Sequence, residues 1–205
     1  MSDVQAQRVR AVDLALAGSA PSLPGIQQIN PAFRLARPDD IGILCDMRCA
    51  QSLEYWDEPS ELDVEAFRST TERYLAENLG TRILFGLIED GSEVASVAGL
   101  ELNDRLPTLG GTGAVGERSA TIVSCYTPKP HRGKGYMGQM LSIWMTLASL
   151  MEIDALYLES HNPSMQRMAE GNGYQQVSSK YRLTLESEVR DELTYGTSGR
   201  IRLDA

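Results

Sequence analysis

A chain of 205 residues with 42% hydrophobic and 23% charged side chains has the composition of a soluble globular protein and the length of one domain with an ordered extension. Its formal net charge of −9 gives the long-range field the wrong sign for nucleic acid or an anionic membrane surface, so neither is an expected partner, although a local basic loop can still hold a small anion. No run of about eighteen apolar residues occurs, so no membrane span is expected. Cys45, Cys49 and Cys125 lack metal-type spacing and read as free thiols of a reducing, cytoplasmic setting.

Residues 1–31 begin with a short helical pattern, Val9, Val12 and Leu16, and pass into small residues, turn formers and prolines, which read as an extension and linker. Residues 32–186 then read as one α/β domain and 187–205 as a tail. The stretch AFRLARPDD from Ala32 offers a short strand that stops at Arg37-Pro38, and Asp39 or Asp40 can cap a helix carrying Ile41, Leu44, Cys45 and Met47. The spacing of Val64, Phe67, Thr71, Tyr74 and Leu75 predicts a second helix over 62–78, ended near Gly80.

The apolar period then changes to two. Two runs flank Glu89-Asp90-Gly91-Ser92, which predicts a hairpin, and Ser119–Thr127 is rich in β-branched residues and reads as a strand. Met137, Met140, Leu141, Trp144, Met145, Ala148 and Met151 form an amphipathic helical stripe, with Trp144 in the core. A strand at Asp154–Ser160, a short helix at Asn162–Asn172 and a last strand at Tyr181–Glu186 complete a mixed, mostly antiparallel sheet flanked by helices.

Two glycine clusters compete for a ligand. Gly111–Gly116 spells the dinucleotide fingerprint G-x-G-x-x-G, but it runs into a strand instead of opening a helix, so it reads as a surface loop; a Rossmann-type nucleotide site built on it is the remote alternative. The stretch HRGKGYMG, His131–Gly138, lies between a strand and a helix. Its unpaired N–H groups and the positive end of the helix dipole suit a phosphate, with Arg132 and Lys134 adding charge and Gly133 and Gly135 keeping side chains away.

This stretch, R/Q-x-x-G-x-G/A at Arg132 and Gly135, together with Asn162 followed by Gly173-Tyr174, resembles the GNAT superfamily of acyl-CoA-dependent N-acetyltransferases over roughly residues 33–185. The resemblance implies an acetyl transfer from acetyl-CoA to an amine of a small molecule or peptide through a ternary complex, or a related domain that binds CoA without catalysis. It implies that Cys125, Tyr126 and Thr127 pair with the pantetheine arm, that Arg132, Gly133, Lys134, Gly135, Tyr136, Met137 and Gly138 hold the diphosphate, that Asn162 belongs to the cofactor site, and that Lys129 and His131 reach the adenosine 3'-phosphate.

For the base that such a transfer needs, Glu101 at a strand end is the first candidate, with Glu159 and His161 behind it. For the acid that protonates the thiolate, Tyr126, Tyr136 and Tyr157 are available, since Ala169 stands where many members carry a tyrosine; solvent or the incoming ammonium are equal alternatives. Met137 departs from the usual Gly or Ala. Tyr55-Trp56, among acidic residues, would suit a cationic acceptor, and dimers are common in the family.

Overall fold

The structure, a computed structural model, describes residues 24–55, 63–104, 108–110, 113–115, 118–160 and 162–176. The chain divides into two compact units, Met1–Gly173 and Tyr174–Ala205, and every element below lies in the first. The expected helix around Val9, Val12 and Leu16 and the expected strand at 181–186 lie outside the described residues.

The linker reading extends too far. Pro24–Ile29 forms a short helix, α1, with Pro at its start where the missing N–H costs nothing. Ile26 is buried, and Asn30 donates to Gln139 Oε1 at 2.7 Å. One apolar anchor and one polar tie therefore fasten a stretch whose composition suggests a free linker.

Phe33–Leu35 is β1, followed by a 3₁₀ turn at Pro38–Asp40 and helix α2, Ile41–Tyr55. Arg34 grips both oxygens of Asp40 at 2.7 and 2.8 Å and turns its Nε to Glu89 at 2.7 Å. The guanidinium holds the Asp40 carboxyl below its usual range, and Asp40 also accepts from the Arg37 amide. Helix α3, Val64–Asn78, starts two residues later than its spacing predicts because Asp63 caps it, accepting from the Ala66 amide at 2.9 Å.

Strands β2, Ile83–Asp90, and β3, Glu93–Asp104, form the expected hairpin, and Gly91 has the positive φ of 69° that the tight connection demands. Then come β4, Thr108–Gly110, and β5, Gly113–Val115, a small antiparallel pair, before β6, Arg118–Tyr126. The fingerprint cluster is thus not a loop throughout: Gly113–Val115 is a strand, leading to another strand, while Gly111 and Gly116 lie outside the described residues. Helix α4 is Tyr136–Leu150, β7 is Ala155–Leu158 and α5 is Pro163–Gly171.

The main sheet has the order β1-β2-β3-β6-β7, antiparallel except for the parallel pair β6–β7. On one face, Leu44, Cys45 and Leu75 of α2 and α3 pack against Phe85, Leu87, Val97 and Tyr126. On the other, α4 buries Met140, Leu141, Ile143, Trp144 and Leu147, and Trp144 meets the edge of Phe33 at 6.3 Å. Gly86 is required by this packing, since a Cβ there would stand 2.5 Å from Phe33 Cε2. The three cysteines are free, two of them buried.

Candidate acyl-CoA site

Strands β6 and β7 pair only from Ser119–Ala155 to Ile122–Leu158. Beyond that point β6 continues to Tyr126 with no strand beside it on the β7 side among the described residues. The pairing with β3 also slips there: Val97 faces Tyr126 but Gly99 faces Val123, which leaves one extra residue on β6. This is a β-bulge, and Ser124 within it has a φ of 55°, rare for a residue with a side chain. The bulge bends the strand where its outer edge becomes free.

From Tyr126 the chain passes through a 3₁₀ turn, Lys129–His131, into the glycine loop. Gly133 and Gly135 have φ of 78° and 83°, and a Cβ on either would meet nothing within 4 Å, so the conformation and not crowding calls for glycine. Gly135 caps α4 without any side-chain partner, and the first intrahelical bond is from the Gln139 amide to Gly135 C=O at 3.1 Å. The amides of Tyr136, Met137 and Gly138 are therefore the orphan donors of a long helix at its positive end.

Arg132 and Lys134 of the loop are engaged within the chain, whereas Lys129 is exposed. Arg132 donates from Nη2 to Glu54 at 2.6 and 2.7 Å and from Nε to Thr127 C=O at 2.9 Å; Tyr126 Oη adds a bond to Glu54 at 3.2 Å. Arg132 pulls the Glu54 carboxyl below its ordinary range, while burial, and then the Glu54 charge, push the Tyr126 phenol up. Lys134 Nζ meets Asp90 at 2.8 Å, and the Asp90 carboxyl is held low by it. His131, offered by the resemblance to the 3'-phosphate, is instead buried between Glu93 at 3.2 Å and Asp90 at 3.4 Å on the β2–β3 turn.

Two carbonyls expected to face pantetheine already have donors: Thr127 C=O has Arg132, and Cys125 C=O accepts from Gln51 Nε2 at 2.9 Å. Thr127 Oγ1 is tied to Ser96 Oγ at 2.9 Å, and burial pushes the Cys125 thiol up to about 12. Arg48 Nη1 donates to Ser124 Oγ at 2.8 Å. Arg48, Gln51 and Glu54 recur every three residues on α2, a polar stripe laid along the end of β6. Sequence reasoning missed Arg48 and Gln51 and took Glu54 only as an acidic neighbour of Tyr55-Trp56; the three-residue spacing along the helix was the signal available.

Glu101 faces Thr121 across β3–β6 and accepts from Tyr74 Oη at 3.3 Å. It stands four residues along β3 from Val97, the partner of Tyr126, so roughly 13 Å at about 3.3 Å per residue separate it from the strand end. The two are on one face but not in contact. Asn162 caps α5, its Oδ1 accepting from Ser164 at 2.9 Å and Met165 at 3.4 Å, and Ala169 is buried in that helix. Tyr55 is exposed; Trp56 and His161 lie outside the described residues.

Solved structures share this arrangement of strands and helices. A predicted acetyltransferase from Clostridium acetobutylicum, determined with acetyl-CoA, superposes with a TM-score of 0.63 at 23% identity, over 74% of this chain and 94% of that one. A GCN5-related N-acetyltransferase from Ralstonia eutropha gives 0.64 at 16% identity, over 74% and 97%. The chain has the GNAT fold. Glucosamine-6-phosphate N-acetyltransferase from Arabidopsis thaliana, at 0.52 and 12% identity over 75% and 99%, extends the likeness to a protein of named substrate. No protein-family model matches the sequence, and no curated protein does. Among the described residues no helix is long and apolar enough to cross a membrane, and no cluster of potential metal ligands occurs.

Proposed function

We propose that the chain is an N-acetyltransferase that carries an acetyl group from acetyl-CoA to an amine of a small molecule or peptide within a ternary complex. One observation carries the reading: the edge of β6 at Val123–Tyr126, which has no strand on the β7 side among the described residues, leads directly into a glycine loop and a helix N-terminus without a side-chain cap. An extended chain with amide groups can complete the strand edge, and a diphosphate can take the amides of Tyr136, Met137 and Gly138. Pantetheine diphosphate has both parts in that order.

In the reaction the neutral amine attacks the thioester carbon, the C–S bond breaks, and a proton passes to the sulfur. Glu101 takes the ammonium proton through water, since it lies too far along β3 to touch the strand end. Glu54 is nearer, but its charge is paired with Arg132 and its basicity is low. Tyr126 stays protonated at neutral pH and can return a proton to the thiolate. The reading is tested by thiol release from acetyl-CoA over polyamines, aminoglycosides, amino acids and peptides. Ala169, buried where a tyrosine donor is usual, favours the rival of a CoA-binding domain without turnover. Binding of acetyl-CoA with no amine-stimulated release would establish that rival.

A further inference from the structure

Arg48 differs from Arg132 and Lys134 in the company its charge keeps. It lies on α2, half-buried, with its guanidinium 5.6 Å from the ring centre of Phe67 on α3. One nitrogen, Nη1, bonds Ser124 Oγ at 2.8 Å and Gln51 Oε1 at 3.3 Å. Among the described residues Nε and Nη2 donate to nothing and no carboxylate pairs with the charge. By contrast Arg34, Arg68, Arg132 and Lys134 each have an acid within salt-bridge distance. Desolvation lowers the Arg48 pKa, the neighbouring Cys49 acting against it, and no carboxylate among the described residues contributes.

Water-poor charges are ordinarily matched by an opposite charge, because neither a hydroxyl nor an aromatic face neutralises them. Here the anchoring hydroxyl belongs to Ser124, the residue of positive φ in the β6 bulge. Strain of that kind persists where surrounding groups hold it and tends to mark functional positions. The guanidinium is thus fixed to the bend in β6 where the free strand edge begins, on the sheet face that also carries Glu101, with two donor groups in a fork suited to a carboxylate.

We propose that Arg48 anchors a substrate carboxylate beside the Ser124 bulge. The proposal rests on the acyl-transfer reading of the site and makes it more specific. The carboxylate has two sources, the acceptor, which would then be an amino acid or the free carboxylate of a peptide, or the far end of a dicarboxylic acyl group such as succinyl.

Two arms separate them. In the first, thiol release from acetyl-CoA is compared for the twenty amino acids and their α-amides. In the second, succinyl-CoA and acetyl-CoA are titrated calorimetrically into the full chain. A preference of about tenfold or more for the carboxylate form in either arm, lost in Arg48→Gln and partly kept in Arg48→Lys while acetyl-CoA affinity stays within about twofold, is the expected result. Acetyl-CoA binding with no carboxylate preference in either arm, or a preference unchanged in Arg48→Gln, overturns the role of Arg48 alone. If acetyl-CoA does not bind, the acyl-transfer reading falls and this role falls with it. Should Arg48→Gln not fold, the wild-type preferences in the two arms decide.

Discussion

Replacing Gly135 with Ala isolates the conformation of the glycine loop from its packing. The added Cβ meets no atom within 4 Å, so no clash contributes, and the whole cost comes from holding a side-chain-bearing residue at a φ of 83°. That cost is roughly 1–2 kcal/mol, or a fall of about 2–8 °C in melting temperature for a chain of this size. Gly42, near the start of α2, also has empty space around it but no left-handed backbone. Gly42→Ala is therefore expected to stabilise by roughly 0.4–1 kcal/mol, so two chemically identical changes have opposite signs. Gly135→Ala also misdirects the amides of Tyr136–Gly138, and the loss of one hydrogen bond to a charged phosphate weakens acetyl-CoA about ten- to a hundredfold. Denaturant melts of both variants and calorimetric titration of acetyl-CoA measure the three effects. A Gly135→Ala protein as stable as the wild type with unchanged affinity would mean that neither the left-handed backbone nor the loop's amides matter as stated.

Other changes test other links. Glu54→Gln frees Arg132 from a partly exposed ion pair, so stability shifts by less than about 1 kcal/mol while acetyl-CoA binds up to about fivefold tighter; weaker binding would mean that Glu54 holds Arg132 in its working position. Asp40 has a carboxyl held below its unfolded value of 3.8, so it stabilises the fold above that value and the contribution is lost as pH falls through the folded one. Asp40→Asn is expected to cost roughly 1.5–3 kcal/mol at neutral pH and to flatten the acid limb, read from urea melts between pH 3 and 7. Gly86→Ala forces Phe33 and Met140 apart and lowers stability by about 1–3 kcal/mol by the same melts. Glu101→Gln leaves acetyl-CoA affinity unchanged and slows amine-dependent thiol release about a hundredfold or more.

The course of the backbone through the site was legible because its signals are local. Asp90-Gly91 between two apolar runs makes the hairpin, and glycines before an apolar helical stripe make the uncapped start of α4. The partners were not legible. Arg132 finds Glu54, Lys134 finds Asp90, and Arg48 finds Ser124, each dozens of residues away in sequence, and nothing short-range in the chain announces such pairs. Three loop side chains therefore read as free for phosphate when Arg132, His131 and Lys134 already have carboxylate neighbours. The helix at Pro24–Ile29 was hidden for a related reason, since the burial of Ile26 depends on the α4 surface and not on local propensity. Gly113–Val115 offered no alternation to betray a strand, and its pairing with Thr108–Gly110 made one.

On the proposed function, the edge of β6 beyond its pairing with β7 and the start of α4 together receive acetyl-CoA. Amide hydrogen exchange followed residue by residue, with and without acetyl-CoA, tests it directly. New protection is expected to be confined to the amides of Val123–Thr127 and Tyr136–Gly138. Protection elsewhere with none at these positions, or no change at saturating acetyl-CoA, would contradict it.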